Sequence, residues 1–194
     1  MLIDSLRKFI FEVANYVWQF STGSVLMMFV SAAQSGGLSI GDQAPAFTLY
    51  DQHNRQHALP DYLGSWVVLY FYPRDDTPGC TAQACAFRDD FRQLKEMRVV
   101  VLGISLDSIG SHQAFADKHG LPFPLLSDGR GETAAAYGAL WKLGPIRFAR
   151  RHSFIIDPQG RMRGIFRSVK PERNSDEIIA ELVRLGAGEV PSND

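Results

Sequence analysis

The chain has 194 residues, 45% of them hydrophobic and 21% charged, enough for one sizeable core and short for two independent domains. Lysine and arginine total 20 against 21 aspartate and glutamate, a net charge of −1, which argues against nucleic acid or a strongly acidic partner as the main target. Two cysteines cannot form the disulfide framework of a small secreted protein, so their meaning is local.

Residues 1–37 read as an extension. No charge occurs between Val13 and Ile40. A transmembrane helix fits poorly, because Asn15, Gln19 and "STGS" interrupt the run before the roughly 20 apolar residues a bilayer needs. A signal peptide has Arg7 and Lys8 in front and Ser31 and Ala33 at a small-residue cleavage site, but Glu12 and the polar middle disagree with an apolar core region. Leu2, Leu6, Phe9, Ile10, Val13, Val17 and Phe20 recur at helical spacing, so the favoured reading is an amphipathic helix resting on the domain, a subunit or a membrane surface. "QSGG" then links it to the domain proper.

Residues 38–187 form that domain, and 188–194 a tail. "AFTLY" and "QHALP" predict short strands, with a turn over Pro60 to Gly64. "WVVLYFY", Trp66 to Tyr72, is a continuous apolar run suited to a strand buried on both faces at the sheet centre. A helix is expected from about Pro78 to Met97, then the buried strand "VVVLGISL", then a helix from Ser111 to His119. "FPLLSD" predicts a short strand and "GETAAAYGAL" a short helix. "HSFIID", the turn "PQG" and "RMRGIFR" predict a hairpin before a last helix from Asp176 to Leu185, capped by Asn174 or Ser175. Parallel β-α-β units followed by an antiparallel hairpin and a closing helix describe a thioredoxin-like α/β fold, a central mixed sheet flanked by helices, with the helical extension in front.

Both cysteines follow the first buried strand. Thr77 is placed as helix N-cap, Pro78 suits the first helical position, and Gly79 permits a tight turn, so Cys80 falls in the first helical turn. Unpaired N–H groups and the helix dipole stabilise negative charge there, the setting of reactive thiolates; the plainer alternative is a small buried apolar cysteine. Cys85 lies five residues on, at a Cα separation of about 8.5 Å in a helix. A disulfide needs less than about 7 Å. A bridge therefore requires the helix start to unwind, which suggests a redox switch rather than a permanent staple. A zinc site lacks a second cysteine pair, a thioredoxin-type active site would need C-x-x-C, and a thiol phosphatase would need arginine where Ala86 stands.

The segment "DDTPGCTAQACAFRD" resembles the active-site segment of the peroxiredoxins, and the second cysteine five residues later is similar to the peroxiredoxin Q group, also called bacterioferritin comigratory proteins. "GDQAPAFTLYDQ", "VVLYFYPRDDTPGC", "VLGISLDS", "LPFPLLSD" and "RHSFIIDPQG" follow that family's order over residues 38–187. The resemblance implies Cys80 as peroxidatic cysteine, Cys85 as resolving cysteine, Thr77 as hydrogen-bond partner of thiolate and peroxide, Pro73 as a wall of the pocket, and Arg151 as the cation beside the sulfur. It implies a peroxide substrate, thioredoxin or a similar dithiol as reductant, no metal and no bound organic cofactor. Elementary chemistry agrees on Arg151, since a guanidinium favours a thiolate and can stabilise charge on a leaving oxygen. Without the resemblance, Arg150 and Arg151 read as exposed charges of a basic loop that includes Arg147, and Arg150 is the runner-up.

Many members of that family carry glutamate where this chain has Gln83, so a looser hold on the arginine is expected. His53, His57, His112, His119 and His152 read as surface or satisfied positions, and alternation turns His152 away from the Arg151 face. A monomer or weak dimer in the cytoplasm is expected, with an exported or membrane-associated form as the alternative that the N-terminal segment leaves open. Two rivals remain open. A general thiol-disulfide oxidoreductase would act on disulfides without peroxide, and a non-enzymatic holdase or partner-binding protein would survive loss of both cysteines.

Overall fold

The computed structural model describes residues 37–188. The proposed amphipathic helix up to residue 36 and the tail from residue 189 lie outside these residues. Nine strands and five α-helices are described: β1 (Thr48–Tyr50), β2 (Gln56–Ala58), β3 (Trp66–Phe71), α1 (Pro78–Asp89), α2 (Phe91–Glu96), β4 (Val99–Ser105), α3 (Ile109–His119), β5 (Leu125–Ser127), α4 (Glu132–Ala136), β6 (Leu140–Leu143), β7 (Ile146–Ala149), β8 (Ser153–Ile156), β9 (Met162–Phe166) and α5 (Asn174–Arg184).

Seven strands form one mixed sheet in the order β2-β1-β5-β4-β3-β8-β9, with β3, β4 and β5 parallel and the other pairs antiparallel. The fold is thioredoxin-like, an α/β sheet with helices against it. The middle strand is β4, not β3 as the apolar run suggested; β3 sits beside it, paired on both edges. Its side chains alternate between two cores. Val68, Tyr70 and Tyr72 join residues of α1, α2, α3 and α5 on one face, while Val67, Leu69 and Phe71 join Leu59, Ala134 and Tyr137 on the other. Burial on both faces is why the strand has no polar alternation. Gly103 of β4 admits the Tyr70 ring, because a Cβ there would stand 2.7 Å from its hydroxyl.

Four local expectations need correction. The long helix after β3 breaks at Asp90 into α1 and α2. Asp89 and Asp90 are weak helix formers, and the break lets α2 bury Leu94 and pack Phe91 on Phe123. The turn over Pro60 to Gly64 is largely a 3-10 turn, Leu59–Tyr62. The stretch read as a basic loop around Arg147 is the hairpin β6-β7, with Trp141 and Phe148 stacked across it at 4.7 Å. The last helix starts at Asn174, after a 3-10 turn Pro171–Arg173, and neither Asn174 nor Ser175 caps it; both are buried.

Candidate active site

The sheet brings the two ends of the site together. Because β8 runs antiparallel to β3, with Tyr70 opposite Ser153, the start of β8 lies beside the end of β3. The N–H of Phe71 donates to the carbonyl of His152 at 2.8 Å, fixing that junction. Arg151 therefore emerges next to the loop that leads from β3 into α1.

That loop is tied down before the helix begins. The buried Asp75 carboxylate accepts from Tyr72 Oη at 2.8 Å, from Ser111 Oγ at 2.7 Å and from His112 Nδ1 at 2.9 Å. Its N–H donates to Asp107 Oδ2 at 3.0 Å. Burial works to raise the Asp75 carboxyl, but the His112 hydrogen bond, supported by Ser111 and Tyr72, outweighs it and holds the group below the usual carboxylate range. Asp76 adopts a positive φ of 56° and accepts from Lys118 and His119. His112 is fully buried in this network and bonded to Asp75 through Nδ1, the satisfied position rather than the surface one.

Thr77 occupies the N-cap position of α1, as expected, but its hydroxyl makes no cap bond and donates to the Arg74 carbonyl at 3.0 Å. Pro78 and Gly79 fill the first two helical positions and Cys80 the third, with its side chain buried. Arg151 Nη2 stands 3.4 Å from Cys80 Sγ. Its Nη1 donates to Gln83 Oε1 at 2.6 Å and to the Gly79 carbonyl at 3.3 Å. The amide thus holds the guanidinium at close range, contrary to the looser placement expected of Gln83. Gly79 leaves room for this approach, since a Cβ there would meet Arg151 Nη2 at 3.2 Å and press on the guanidinium. Gln83 in turn donates through Nε2 to Asn174 Oδ1 at 2.7 Å, and Ser153 Oγ donates to the same oxygen at 2.8 Å.

Cys85 is half-buried on the same uninterrupted helix, and both thiols are free. Pro73 is half-buried in the loop between β3 and α1. Tyr70 lies under the thiols. Burial first, then the negative charges of Asp75, Cys80 and Cys85, drive its hydroxyl far above the usual phenol range, so it stays neutral. His152 packs edge-on against Phe154 in the opposite core, as alternation required. Burial, then the charges of Arg167 and Arg150, lower its titration.

The structure brings Arg151 beside Cys80, the placement the resemblance implied, and adds Asn174, which sits 91 positions from its partner Gln83 and carries no local signal in the sequence. Arg150 is exposed. A cleft of about 430 Å³ between β1 and α4, lined by Phe47, Leu49, Asp128, Arg130 and Thr133, contains none of the site residues. Among the described residues no group of three or more His, Cys, Asp or Glu side chains is placed to hold a metal ion.

The family model described as AhpC/TSA matches residues 40–165. The chain belongs to the AhpC/TSA family. Peroxiredoxin Bcp of Bacillus subtilis is 40% identical over 151 residues, covering 75% of this chain and 95% of that protein. Among solved structures, a cysteine-to-serine variant of PrxQ from Xylella fastidiosa has a TM-score of 0.73 at 30% identity, over 78% of this chain and 99% of that one. The bacterioferritin comigratory protein of Xanthomonas campestris, studied for alkyl peroxide reduction, has a TM-score of 0.68 at 30% identity, over 72% of this chain and 91% of that one. The protein is a peroxiredoxin of the Bcp/PrxQ group, a thiol peroxidase. In this peroxiredoxin the segment bearing both cysteines begins where β3 delivers the chain to the guanidinium at the start of β8.

Proposed function

We propose that this peroxiredoxin reduces hydrogen peroxide and organic hydroperoxides by a two-cysteine cycle contained in one helix. The thiolate of Cys80 attacks one peroxide oxygen: an S–O bond forms, the O–O bond breaks, and the departing oxygen takes a proton and leaves as water or alcohol. Arg151 favours the thiolate and stabilises charge on that oxygen, while Pro73 and the Thr77 hydroxyl bound the approach. Cys85 then attacks the sulfenic sulfur, an S–S bond forms, and water leaves. A dithiol such as thioredoxin reduces the bridge, in a reducing compartment such as the cytoplasm. The alkyl peroxide activity studied in the Xanthomonas campestris relative supports the wider substrate class.

The observation that carries this reading is the 3.4 Å approach of Arg151 Nη2 to a buried thiol in the first turn of a helix that holds the second thiol too. Peroxide consumption with thioredoxin as sole reductant tests it. Cys80→Ser is expected to abolish turnover, and Cys85→Ser to complete one turnover and leave a sulfenic acid that dimedone traps. Sustained turnover by the Cys80 variant would sink the assignment.

A further inference from the structure

Two buried polar side chains around the thiol have incomplete bonding among the described residues, Tyr70 at its hydroxyl and Asn174 at its amide, and of the two only Asn174 is bonded to the residues that hold Arg151. Asn174 is fully buried at the start of α5, its Oδ1 receives Gln83 and Ser153, and its Nδ2 has no partner among the described residues. Chemistry fixes the orientation of both amides. A guanidinium only donates, so Gln83 must face Arg151 with Oε1 and therefore face Asn174 with Nε2. Asn174 must answer with Oδ1, which turns its own N–H₂ group away. The orphan donor follows from an amide at position 83.

We propose that Asn174 is a positioning residue of the peroxidase reaction: through Gln83 it holds Arg151 against Cys80 while α1 is intact, and its orphan amide favours release of α1 once Cys80 is oxidised. The proposal rests on the assignment of Cys80 and Arg151 above. Asn174 and Ser153 belong to α5 and β8, outside the helix that carries the thiols, whereas Gln83 belongs to α1, whose first turns must unwind for the bridge to form. In the closed state the chain Ser153–Asn174–Gln83–Arg151 aims the guanidinium at the sulfur. When the first turns of α1 open, Gln83 departs and Asn174 is free to rotate toward water, so its Nδ2 gains a partner only in the open state. One side chain thereby assists both steps. Closed-state stability decides the fate of the sulfenic acid, because resolution competes with a second peroxide, which adds a further oxygen to the sulfur to give sulfinic acid as it is itself reduced to water or alcohol.

Single-turnover mixing with hydrogen peroxide, quenched with N-ethylmaleimide and dimedone and read by mass, separates loss of the Cys80 thiol from appearance of the disulfide. The ratio of iodoacetate to iodoacetamide alkylation at Cys80 reports the nearby positive charge independently of the fold. Asn174→Ala is expected to slow attack about tenfold and to lower that ratio toward its value in Arg151→Gln. Gln83→Glu, which accepts from Arg151 and lets Asn174 turn over to donate, is expected to attack at least as fast as the parent. It should resolve about fivefold more slowly and accumulate more sulfinic acid. Asn174→Asp keeps both acceptor bonds without an orphan donor; it should resolve more slowly than the parent, and it carries the test of release should the alanine variant fail to fold. An Asn174→Ala variant within twofold of the parent in attack and ratio, beside a slow Arg151→Gln variant, overturns the proposal alone. Parent-like attack in Arg151→Gln itself overturns the underlying assignment as well. Resolution at the parent rate in both Gln83→Glu and Asn174→Asp overturns the release half.

Discussion

The chain on either side of Thr77 is fastened in two different ways. Before it, the loop from Pro73 to Asp76 is held by a buried carboxylate with three side-chain donors, a backbone bond to Asp107, and a second carboxylate facing Lys118 and His119. After it, the first turns of α1 bury Cys80 and Ala84 in the core, and their side-chain hydrogen bonds to the body are one guanidinium and one amide chain that ends in an unpaired N–H₂ group. Farther along, Phe87 stacks on Tyr70 at 4.8 Å and fixes the second half of the helix. A rigid hinge, a releasable segment and a second anchor follow one another within 15 residues, Pro73 to Phe87. The releasable segment lacks the carboxylate anchors that hold the hinge, and it lies between that hinge and the Phe87 stack.

The hinge breaks most severely at Asp75. Asp75→Ala leaves the buried donors of Tyr72, Ser111 and His112 without their acceptor, at an expected cost of about 3–5 kcal/mol, and thermal unfolding should show Tm falling by roughly 10 °C. On the releasable side, Arg151→Gln is expected to slow the first oxidation of Cys80 roughly hundredfold, about 2.7 kcal/mol in the barrier, on the scale of a lost transition-state donor. Arg150→Gln, exposed and outside these bonds, should change it less than about twofold by the ordinary behaviour of surface substitutions. Equal, small effects of the two arginine variants in stopped-flow oxidation would remove the distinction. The smallest effect is one of pH. The Asp75 carboxyl titrates lower folded than unfolded, so its contribution is present above the unfolded value of about 3.9 and is lost as pH falls through the folded one. Acid titration of stability should therefore be shallower below pH ~4 in Asp75→Asn than in the parent.

Much of this was legible in the sequence because the signals are local. The apolar run Trp66 to Phe71 announced a strand buried on both faces, and Thr77-Pro78-Gly79 placed Cys80 in a first helical turn. Arg151 was reachable only through the family resemblance, since by residue type it reads as an exposed charge, while alternation along β8 separated it from His152. What stayed hidden is non-local or competes with local preference. Asn174 looks like a helix cap by residue type, yet its oxygen is claimed by Gln83 and Ser153 from two other elements. His112 looks like an ordinary polar position of a helix until the Asp75 loop folds over it. The hairpin β6-β7 escaped because its charged positions suggested a loop, whereas the Trp141–Phe148 stack across a Gly144-Pro145 turn holds it together.

Hydrogen exchange on the reduced and the oxidised protein tests the unwinding most directly. In one continuous helix the Cα atoms of Cys80 and Cys85 are about 8.5 Å apart, beyond the reach of a disulfide of about 7 Å. Once mass confirms the Cys80–Cys85 bridge, the amides of Gln83 to Phe87 should exchange faster than in the reduced protein, while those of β3 and of Asp75, bonded to Asp107, keep their protection. Equal protection of Gln83 to Phe87 in both forms, with the bridge in place, would contradict the account.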